Sequence, residues 1–483
     1  MNILVLDVGT SSMRGVLYGD DGKALFTHQV PYRVNTVSQT IVEQAPCSWV
    51  DAMTEICREA AGSGHSVDAL SLTCQRSSII PVDKTGAPLR DAIMWQDTRN
   101  ASIVEELSEY GALIQQKTGA RLNTVFSGSK MTWLRRNEQS LYKKSHKICT
   151  IADYLTWQIT GAFVTDATYG SRSLLMDLQT RAWDGTLLDL FEVERDKLCE
   201  LIEPGSISGT VTAAFAARTG LRSGIPLISA GGDQQCGALG QGILKPGTVE
   251  ATFGTGAYLL QYSETVPDDL RGDVICGVHA VPGAYVLESS MLTCAALYDW
   301  GQRILFPNGG LEEINAAIAE TPIGANGVTV LPYFQGRGTP DWNNNARGAF
   351  LNLSLSTTKA DMARALLEAI ALETQNNAEA LERYTEPFQY ACAGGGLTKQ
   401  PVFCQMLSDV MGRPVVRSNG HTEQTAHGAW ISAAATLGLY ADHEKAYQQT
   451  VQTKNMEQFL PDPVNHIKYE TLRQQMNGLY RRL

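Results

Sequence analysis

Two stretches of the chain show the same alternation of an apolar strand, a short polar turn and a second apolar strand. Residues 2–18 (NILVLDVGTSSMRGVLY) follow this pattern around the turn Gly9-Thr10-Ser11-Ser12. Residues 248–262 (TVEATFGTGAYLLQY) repeat it around Gly254-Thr255-Gly256. The pattern predicts two β-hairpins and indicates that the chain consists of duplicated halves.

The turn of the second hairpin has the composition of an anion-binding loop. Its glycines lack a Cβ, so successive backbone N–H groups can point into one concavity. Thr255 adds a hydroxyl donor. A polyphosphate needs such donors, and a nucleotide held between two such hairpins would have its phosphates bound from both sides.

A third apolar run, residues 225–230, ends at Gly231-Gly232-Asp233. It predicts a buried strand that delivers the Asp233 carboxylate to the point where the backbone turns sharply. Catalytic groups of open α/β sheets commonly lie at such strand ends. Asp233 is therefore the first candidate for a catalytic residue.

The rest of the pattern alternates strands with amphipathic helices, which is typical of an α/β fold. We predict a helix capped by Ser48 and a strand over 68–74. Residues 190–220 appear charged and irregular, and a strand at 284–287 is predicted to precede a helix over 289–305.

Glycine, proline and capping residues mark the elements near the C-terminus. Thr358 and Asp361 have the spacing of a capping box at the start of a helix. A strand over 388–393 is predicted to break at Gly394-Gly395-Gly396, and Pro401 opens the helix that follows.

Length and composition are those of a globular protein with two domains. The chain has 483 residues, 43% hydrophobic and 18% charged. Its formal net charge is −11, which argues against nucleic acid as a partner. No apolar run approaches the roughly 18 residues of a membrane span, and the chain begins directly with a strand, so we expect a cytoplasmic protein.

The ten cysteines are scattered and include no Cys-x-x-Cys pair. We interpret them as structural thiols of a reducing compartment rather than as a zinc site or a disulfide framework.

Residues 91–99 (DAIMWQDTR) form a polar and aromatic cluster with two interpretations. Trp95 and Gln96 are suited to the wall of a pocket for a polar substrate, with the indole against C–H groups. Equally, Asp97 and Arg99 can form a local ion pair beside a Trp95 that belongs to the core. These residues alone leave both interpretations open.

The chain contains no Walker A motif, no Rossmann glycine motif, no HExxH and no GxSxG. Phosphate binding is therefore assigned to the two hairpins.

Taken in order, eight segments resemble the FGGY carbohydrate kinases, a branch of the actin-like ATPase superfamily, over nearly the whole chain. They are LDVGTSSMRGVLY, CQRSS, MWQDTR, SGSKMTWLRRN, SAGGDQQCGALGQG, FGTGAYLL, GRGTPDW and CAGGGLTKQPVFCQMLSDVMGRPV. The resemblance implies an α/β fold of two actin-like (ribonuclease H-like) domains, residues 1–243 and 244–483, with an active-site cleft between them. It implies sugar binding mainly on the first domain and ATP binding mainly on the second.

The same resemblance implies a role for individual residues. Asp233 would be the catalytic base, and Asp7 with Asp233 would hold Mg²⁺. The substrate would contact Arg76, Ser77, Trp95, Gln96, Asp233 and Gln234. ATP would contact Thr10, Ser11, Arg14, Gly254, Thr255, Gly256, Gly395, Gly396 and Lys399. Phosphoryl transfer needs these parts: positioned donors, a metal and a carboxylate that orients the nucleophile.

Within the family, CQRSS, MWQD, GGDQQ and FGTG are most similar to the glycerol kinase branch. Two residues depart from that branch, because Ser77 stands where it has an acidic residue and Val125 where it has a tyrosine. We therefore expect a ketopentose or polyol kinase, with glycerol kinase proper as the alternative. A homodimer is compatible with this interpretation.

Two other classes of protein share part of the pattern. An actin-like ATPase that acts as a conformational switch would have both hairpins but would not need the polar residues Arg76, Trp95 and Gln96. A sugar-responsive repressor would carry a helix-turn-helix, and none is expected ahead of the first strand.

Overall fold

The computed structural model of the protein describes residues 1–418, 423–450 and 456–482. Its α-helices, in chain order, are α1 Pro46–Gly62, α2 Ala101–Glu106, α3 Gly111–Thr118, α4 Ser127–Asn137, α5 Gln139–Lys144, α6 Ile151–Thr160, α7 Ala167–Gly170, α8 Gly185–Leu190, α9 Ala213–Thr219, α10 Asp233–Gly240, α11 Ala295–Leu305, α12 Leu311–Glu320, α13 Lys359–Glu382, α14 Pro401–Met411, α15 Gln424–Thr436, α16 His443–Thr450 and α17 Pro463–Tyr480. Short 3-10 helices cover Leu107–Tyr110, Arg195–Lys197, Ala325–Gly327 and Leu397–Lys399.

The first large sheet has six strands, β1 Ile3–Val8, β2 Ser12–Tyr18, β3 Ala24–Pro31, β4 Ala69–Cys74, β5 Ile207–Thr210 and β6 Pro226–Gly232. Their spatial order is β5-β6-β4-β1-β2-β3. The central strands β6, β4 and β1 are parallel, and the flanking pairs are antiparallel.

The second large sheet has seven strands, β7 Thr248–Phe253, β8 Ala257–Ser263, β9 Ile275–Val278, β10 Tyr285–Met291, β11 Tyr390–Gly394, β12 Val415–Ser418 and β13 Met456–Phe459. Their spatial order is β9-β10-β8-β7-β11-β12-β13. Here β7, β11 and β12 are parallel, and the other pairs are antiparallel.

The two sheets repeat one arrangement. In the first sheet the strand order that starts at β3 is β3-β2-β1-β4-β6-β5. In the second sheet the order that starts at β10 is β10-β8-β7-β11-β12-β13. Corresponding neighbours are parallel or antiparallel in the same way in both sheets. Each sheet is built from a hairpin whose first strand lies beside a parallel strand from later in the chain. The predicted duplication is confirmed, and β9 is an addition to the second sheet.

Smaller sheets join the loops around these two. They pair Asn35–Thr36, Val42–Gln44 and Ala92–Ile93; Ile80–Val82 with Lys147–Cys149; Val164–Asp166 with Glu200–Ile202; Met176–Asp177 with Ala182–Trp183; and Thr329–Leu331 with Ala349–Leu351.

The first sheet is covered by helices on both faces. Successive side chains of a strand point to opposite faces. Accordingly, Leu4 and Leu6 of β1 pack in a core that includes α1 and α6, while Ile3 and Val5 pack in a second core that includes α10 and α15. All four side chains are buried, which explains why β1 is apolar throughout rather than alternating.

Helix α15 comes from the second half of the sequence but packs on the first sheet. Ser71 of β4 donates a hydrogen bond from its hydroxyl to the carbonyl of Ala429, at 2.8 Å. Where α15 crosses α10 the backbones touch, and a Cβ on Gly428 would lie 1.8 Å from the carbonyl oxygen of Cys236. This crossing joins the two halves.

Several sequence predictions are confirmed. The hairpins, the strand that leads to Asp233 and the helix that begins at Pro401 are all present. The capping box of Thr358 and Asp361 is formed in full. In the part of the chain that the structure describes, none of the helices combines the length and the apolarity needed to cross a membrane.

Other predictions are wrong. Ser48 does not cap α1, because the helix already begins at Pro46, whose ring suits the first helical position; the Ser48 hydroxyl instead donates to the carbonyl of Ala45. Residues 190–220 are not irregular throughout, since they include α9, capped by Thr212, together with β5 and the strand Glu200–Ile202.

The predicted helix over 289–305 begins only at Ala295. Residues 289–291 continue β10 instead, because they pair with residues 257–259 of β8. Pairing across the sheet decides the conformation of this segment, and no local pattern reports that pairing.

The crossing of α10 and α15 gives a test of the fold. We expect Gly428→Ala to lower the free energy of unfolding by at least about 1–3 kcal/mol, because the added methyl group meets backbone that must shift. Gly478→Ala is the matched control: this helical glycine of α17 has open space around its Cβ position, so the change should be neutral or stabilising. Urea denaturation of both variants checks this, and equal stabilities would contradict the described crossing.

Candidate active site

A cavity of about 520 Å³ opens where the two halves of the chain meet. Its walls come from the first hairpin turn, the ends of β4 and β6, the loop between α3 and α4, strands β8 to β10 and the loop near residue 342. The lining residues are Thr10, Gln75, Arg76, Ser77, Trp95, Arg121, Leu122, Asn123, Val125, Phe126, Arg172, Asp233, Gln234, Tyr258, Ile275, Glu288, Ser290, Leu292, Trp342 and Asn344.

Asp233 lies in this cavity as the first residue of α10, directly after β6. Its side chain keeps about a third of its surface accessible, 34%, which leaves the carboxylate open to a ligand. The preceding Gly232 leaves room for Arg76, because a Cβ there would lie 2.6 Å from Cδ of Arg76 and would displace that side chain. Enclosure raises the pKa of Asp233, and the positive charge of Arg76 opposes that rise.

Arg76 contacts two acidic groups and one amide. Its Nε lies 3.5 Å from Oδ1 of Asp233, its Nη1 lies 4.0 Å from Oε2 of Glu288, and its Nη2 donates a hydrogen bond to the side-chain oxygen of Gln234. The site therefore holds Asp233 and Gln234 in place through one guanidinium group.

Arg172 and Glu288 form a buried ion pair in the same cavity. Arg172 follows α7 in the first half of the chain, and Glu288 belongs to β10 in the second. Burial lowers the pKa of Arg172, and the charge of Glu288 counteracts this effect. Sequence reasoning missed both residues. The charged residue that directly follows the predicted apolar strand 284–287 was the signal that could have revealed Glu288.

Asp7 is close enough to Asp233 for their charges to interact. Burial raises the pKa of Asp7 to about 7, and the negative charge of Asp233 adds to the rise. The described residues contain no cage of three or more His, Cys, Asp or Glu side chains. Two carboxylates fit Mg²⁺, which prefers oxygen ligands and usually retains water and substrate phosphates in its coordination shell.

The first hairpin turn contributes one residue to the cavity. Thr10 lines it and accepts a hydrogen bond from the indole nitrogen of Trp95, at 3.3 Å. Ser11 is exposed. Arg14 of β2 lies beside the turn, where it donates to Gln29 at 3.0 Å and pairs with Glu423 at 3.5 Å.

The second hairpin turn is held by hydrogen bonds to the start of α11, while the side chain of Thr255 remains exposed. The carbonyls of Gly254 and Thr255 accept hydrogen bonds from the N–H groups of Ala295 and Cys294 at the start of α11. Gly256 packs closely, since a Cβ there would lie 2.6 Å from the carbonyl oxygen of Met291. Thr255 is exposed and lies outside the lining of the cavity.

The turn after β11 lies directly against this hairpin. Gly395 has φ of +96°, and a Cβ there would lie 2.3 Å from the carbonyl oxygen of Phe253. Glycine is therefore required for packing at this position. Gly396 and Lys399 are exposed, and Gly396 has open space around it.

The cluster at 91–99 divides between its two interpretations. Trp95 lines the cavity, as the functional interpretation predicted. Gln96 lies outside that lining, and its side-chain oxygen is buried without a partner among the described residues. Asp97 and Arg99 form the local ion pair, at 2.7 Å.

Ser77 and Val125, the two departures from the glycerol kinase pattern, both line the cavity. The Ser77 hydroxyl donates to the carbonyl of Arg172 at 3.3 Å, and Val125 has no polar group. Neither side chain offers a strong acceptor to a ligand.

Comparison with known proteins matches the chain to one family. The N-terminal domain of the FGGY family of carbohydrate kinases matches residues 2–240, and the C-terminal domain of the same family matches residues 249–437.

A glycerol kinase of Koribacter versatilis is 32% identical over 483 residues, which cover 94% of this chain and 93% of its own. A glycerol kinase of Citrifermentans bemidjiense is 33% identical and covers 90% of both chains. A ligand-bound xylulose kinase from Lactobacillus acidophilus superposes with a TM-score of 0.94 at 24% identity, over 100% of this chain and 98% of its own. Glycerol kinase of Plasmodium falciparum with ADP gives a TM-score of 0.91 at 25% identity, over 99% and 98%. The protein belongs to the FGGY family of carbohydrate kinases.

Proposed function

We propose that this protein phosphorylates a hydroxyl group of a sugar or polyol larger than glycerol, a ketopentose or a polyol of four to six carbons. As an FGGY kinase it is an ATP-dependent enzyme that uses Mg²⁺ and an alcohol group as acceptor. One observation carries the choice of substrate: Asp233 opens into a cavity of about 520 Å³ whose wall has Ser77 and Val125. Cavities of about 300–1,000 Å³ accommodate ligands well above three carbons in size.

In the proposed mechanism, Asp233 accepts the proton of the acceptor hydroxyl while the hydroxyl oxygen attacks the γ-phosphorus of ATP. Arg76, 3.5 Å away, stabilises the ionised carboxylate that this role requires. Trp95, which lines the cavity, would present an apolar face to the C–H groups of the substrate, and Gln234, held by Arg76, would contact a hydroxyl.

We assign the nucleotide to the two hairpins and the turn after β11. Thr10, Ser11 and Arg14 would contact the phosphates from one side, and Gly254, Thr255 and Gly256 from the other. Gly395, Gly396 and Lys399 would lie against the nucleoside. Asp7 and Asp233 would hold Mg²⁺, which neutralises phosphate charge when it is bound.

The same proposal extends to the organisation of the protein. We assign residues 1–243 to the mainly sugar-binding domain and 244–483 to the mainly ATP-binding domain, with α15 of the second packed on the sheet of the first. A cytoplasmic homodimer without a nucleic-acid partner is proposed. The net charge of −11 supports the last point, and the exposed Leu353 and Leu355 offer an apolar surface for self-association.

Glycerol kinase proper is the second candidate, favoured by the names of relatives at 32% and 33% identity. An actin-like ATPase that acts only as a switch is disfavoured, because such a protein needs no polar cavity at Asp233.

The role of Asp233 is tested by Asp233→Asn. The amide keeps the shape of the side chain but cannot take the proton, so kcat should fall by about 10²–10⁴ while ATP still binds. Asp91→Asn, an exposed carboxylate outside the cavity, is the control and should keep full activity. A near-normal kcat of Asp233→Asn at saturating substrate would refute the assignment.

Substrate size is tested by kcat/KM for glycerol, erythritol, xylulose and ribulose. We expect a five-carbon ketose to exceed glycerol, because Ser77 and Val125 leave the hydroxyls of glycerol without partners, at a cost of about 1–3 kcal/mol for each unsatisfied group. Val125→Tyr restores one hydroxyl and should raise the kcat/KM for glycerol relative to that for xylulose. Glycerol as the best wild-type substrate would support the second candidate instead.

A further inference from the structure

The charges that line the cavity do not balance. Three arginines face two carboxylates there. Asp233 and Glu288 are matched by Arg76 and Arg172, through the contacts at 3.5 Å and the buried pair. One positive charge, that of Arg121, remains without a counterpart.

Arg121 lies in the loop between α3 and α4, at the seam between the halves. Its Nη1 donates a long hydrogen bond, 3.4 Å, to the carbonyl of Gly272 in the second half. Within the described residues no carboxylate lies within ion-pair distance of its guanidinium group. The side chain is exposed and lines the cavity, so its remaining N–H groups are available to a ligand.

Two further guanidinium nitrogens in the cavity make no hydrogen bond within the described part of the chain, although one of them, Nη1 of Arg76, lies 4.0 Å from Oε2 of Glu288. Nη1 of Arg76 and Nε of Arg172 are buried and make no hydrogen bond among the described residues. Arg172 itself is only 4% exposed. Buried donors without acceptors are costly, so a ligand rich in oxygen would satisfy groups that the protein leaves unsatisfied.

We propose that the substrate carries a carboxylate and that Arg121 binds it: the enzyme acts on a sugar acid of four to six carbons. This inference rests on the proposed function and deepens it. A guanidinium group binds a carboxylate through two parallel, charge-assisted hydrogen bonds, which are roughly twice as strong as the neutral ones that sugar hydroxyls can accept.

The reaction itself is the ordinary transfer. A hydroxyl of the acid away from its carboxylate forms a bond to the γ-phosphorus of ATP, the bond to the bridging oxygen breaks, ADP leaves, and Asp233 takes the proton. Arg121 determines specificity and takes no part in the transfer.

Gluconate and glucitol test the proposal, because they share a six-carbon skeleton and differ only at C1. The wild-type enzyme should have a kcat/KM at least about tenfold higher for gluconate. Arg121→Gln should lower the value for gluconate by about ten- to a hundredfold, mainly through KM, and change the value for glucitol by less than about twofold. Arg121→Lys keeps the charge without the paired donors, so its kcat/KM for gluconate should lie between those of the wild type and Arg121→Gln.

Arg195→Gln is the matched control. Arg195 is also an exposed arginine with one long hydrogen bond to a backbone carbonyl, 3.3 Å to Trp183, but it does not line the cavity. Arg195→Gln should leave the kcat/KM for gluconate and for glucitol unchanged.

Three results would overturn the inference. They are a wild-type preference for glucitol, an equal loss on both substrates in Arg121→Gln, and a rise only in the KM for ATP. Phosphorylation of neutral sugars without gluconate would leave the proposed function intact and refute the inference alone. Failure to phosphorylate any sugar, polyol or sugar acid would refute both.

Discussion

The site depends on four charges at the cavity that must remain paired: the buried pair of Arg172 and Glu288, and Arg76 with the partly accessible Asp233. A buried charge that loses its partner is strongly destabilising, by about 3–5 kcal/mol. Arg172 and Glu288 belong to different halves of the chain, so their pair exists only while the halves face each other across the cavity. The same ion pair therefore stabilises the contact between the halves and supplies charged groups to the cavity. The arrangement also leaves Asp233 partly accessible beside a cation, which suits its proposed role as the catalytic base.

In the proposed assignment, the duplicated sheets let one chain hold a nucleotide from two sides. Each half contributes a hairpin whose turn contains glycine and threonine, and the order of strands around each hairpin is the same. Glycine is required behind the second turn, where the backbones of Gly395 and Phe253 approach closely. The crossing of α10 and α15 fixes the halves to each other. Phosphoryl transfer needs positioned groups more than covalent chemistry, and in our proposal the two hairpins would supply them from two sides.

Much of the fold could be predicted from the sequence, because short local patterns determine many of its elements. The apolar hairpins, the strand that ends at Asp233 and the capping box of Thr358 follow from short patterns. Features set by distant pairing were not accessible: residues 289–291 are a strand because β8 lies beside them. The pairing of Arg172 with Glu288 joins residues far apart in the chain, and the unmatched charge of Arg121 is visible only when the whole lining of the cavity is known. The two interpretations of residues 91–99 could be decided only from the three-dimensional positions of the residues, since Trp95 lines the cavity and Asp97 pairs with Arg99.

We propose that transfer occurs in the cavity at Asp233, between the two hairpins. The most direct measurement is a crystal structure with Mg²⁺, a non-hydrolysable ATP analogue and the best substrate from kinetic screening. We expect the γ-phosphate to lie between Thr10 and Thr255, with the acceptor hydroxyl within hydrogen-bonding distance, about 2.6–3.2 Å, of the Asp233 carboxylate. A nucleotide bound away from both turns, or a substrate whose hydroxyls all lie beyond reach of Asp233, would contradict it.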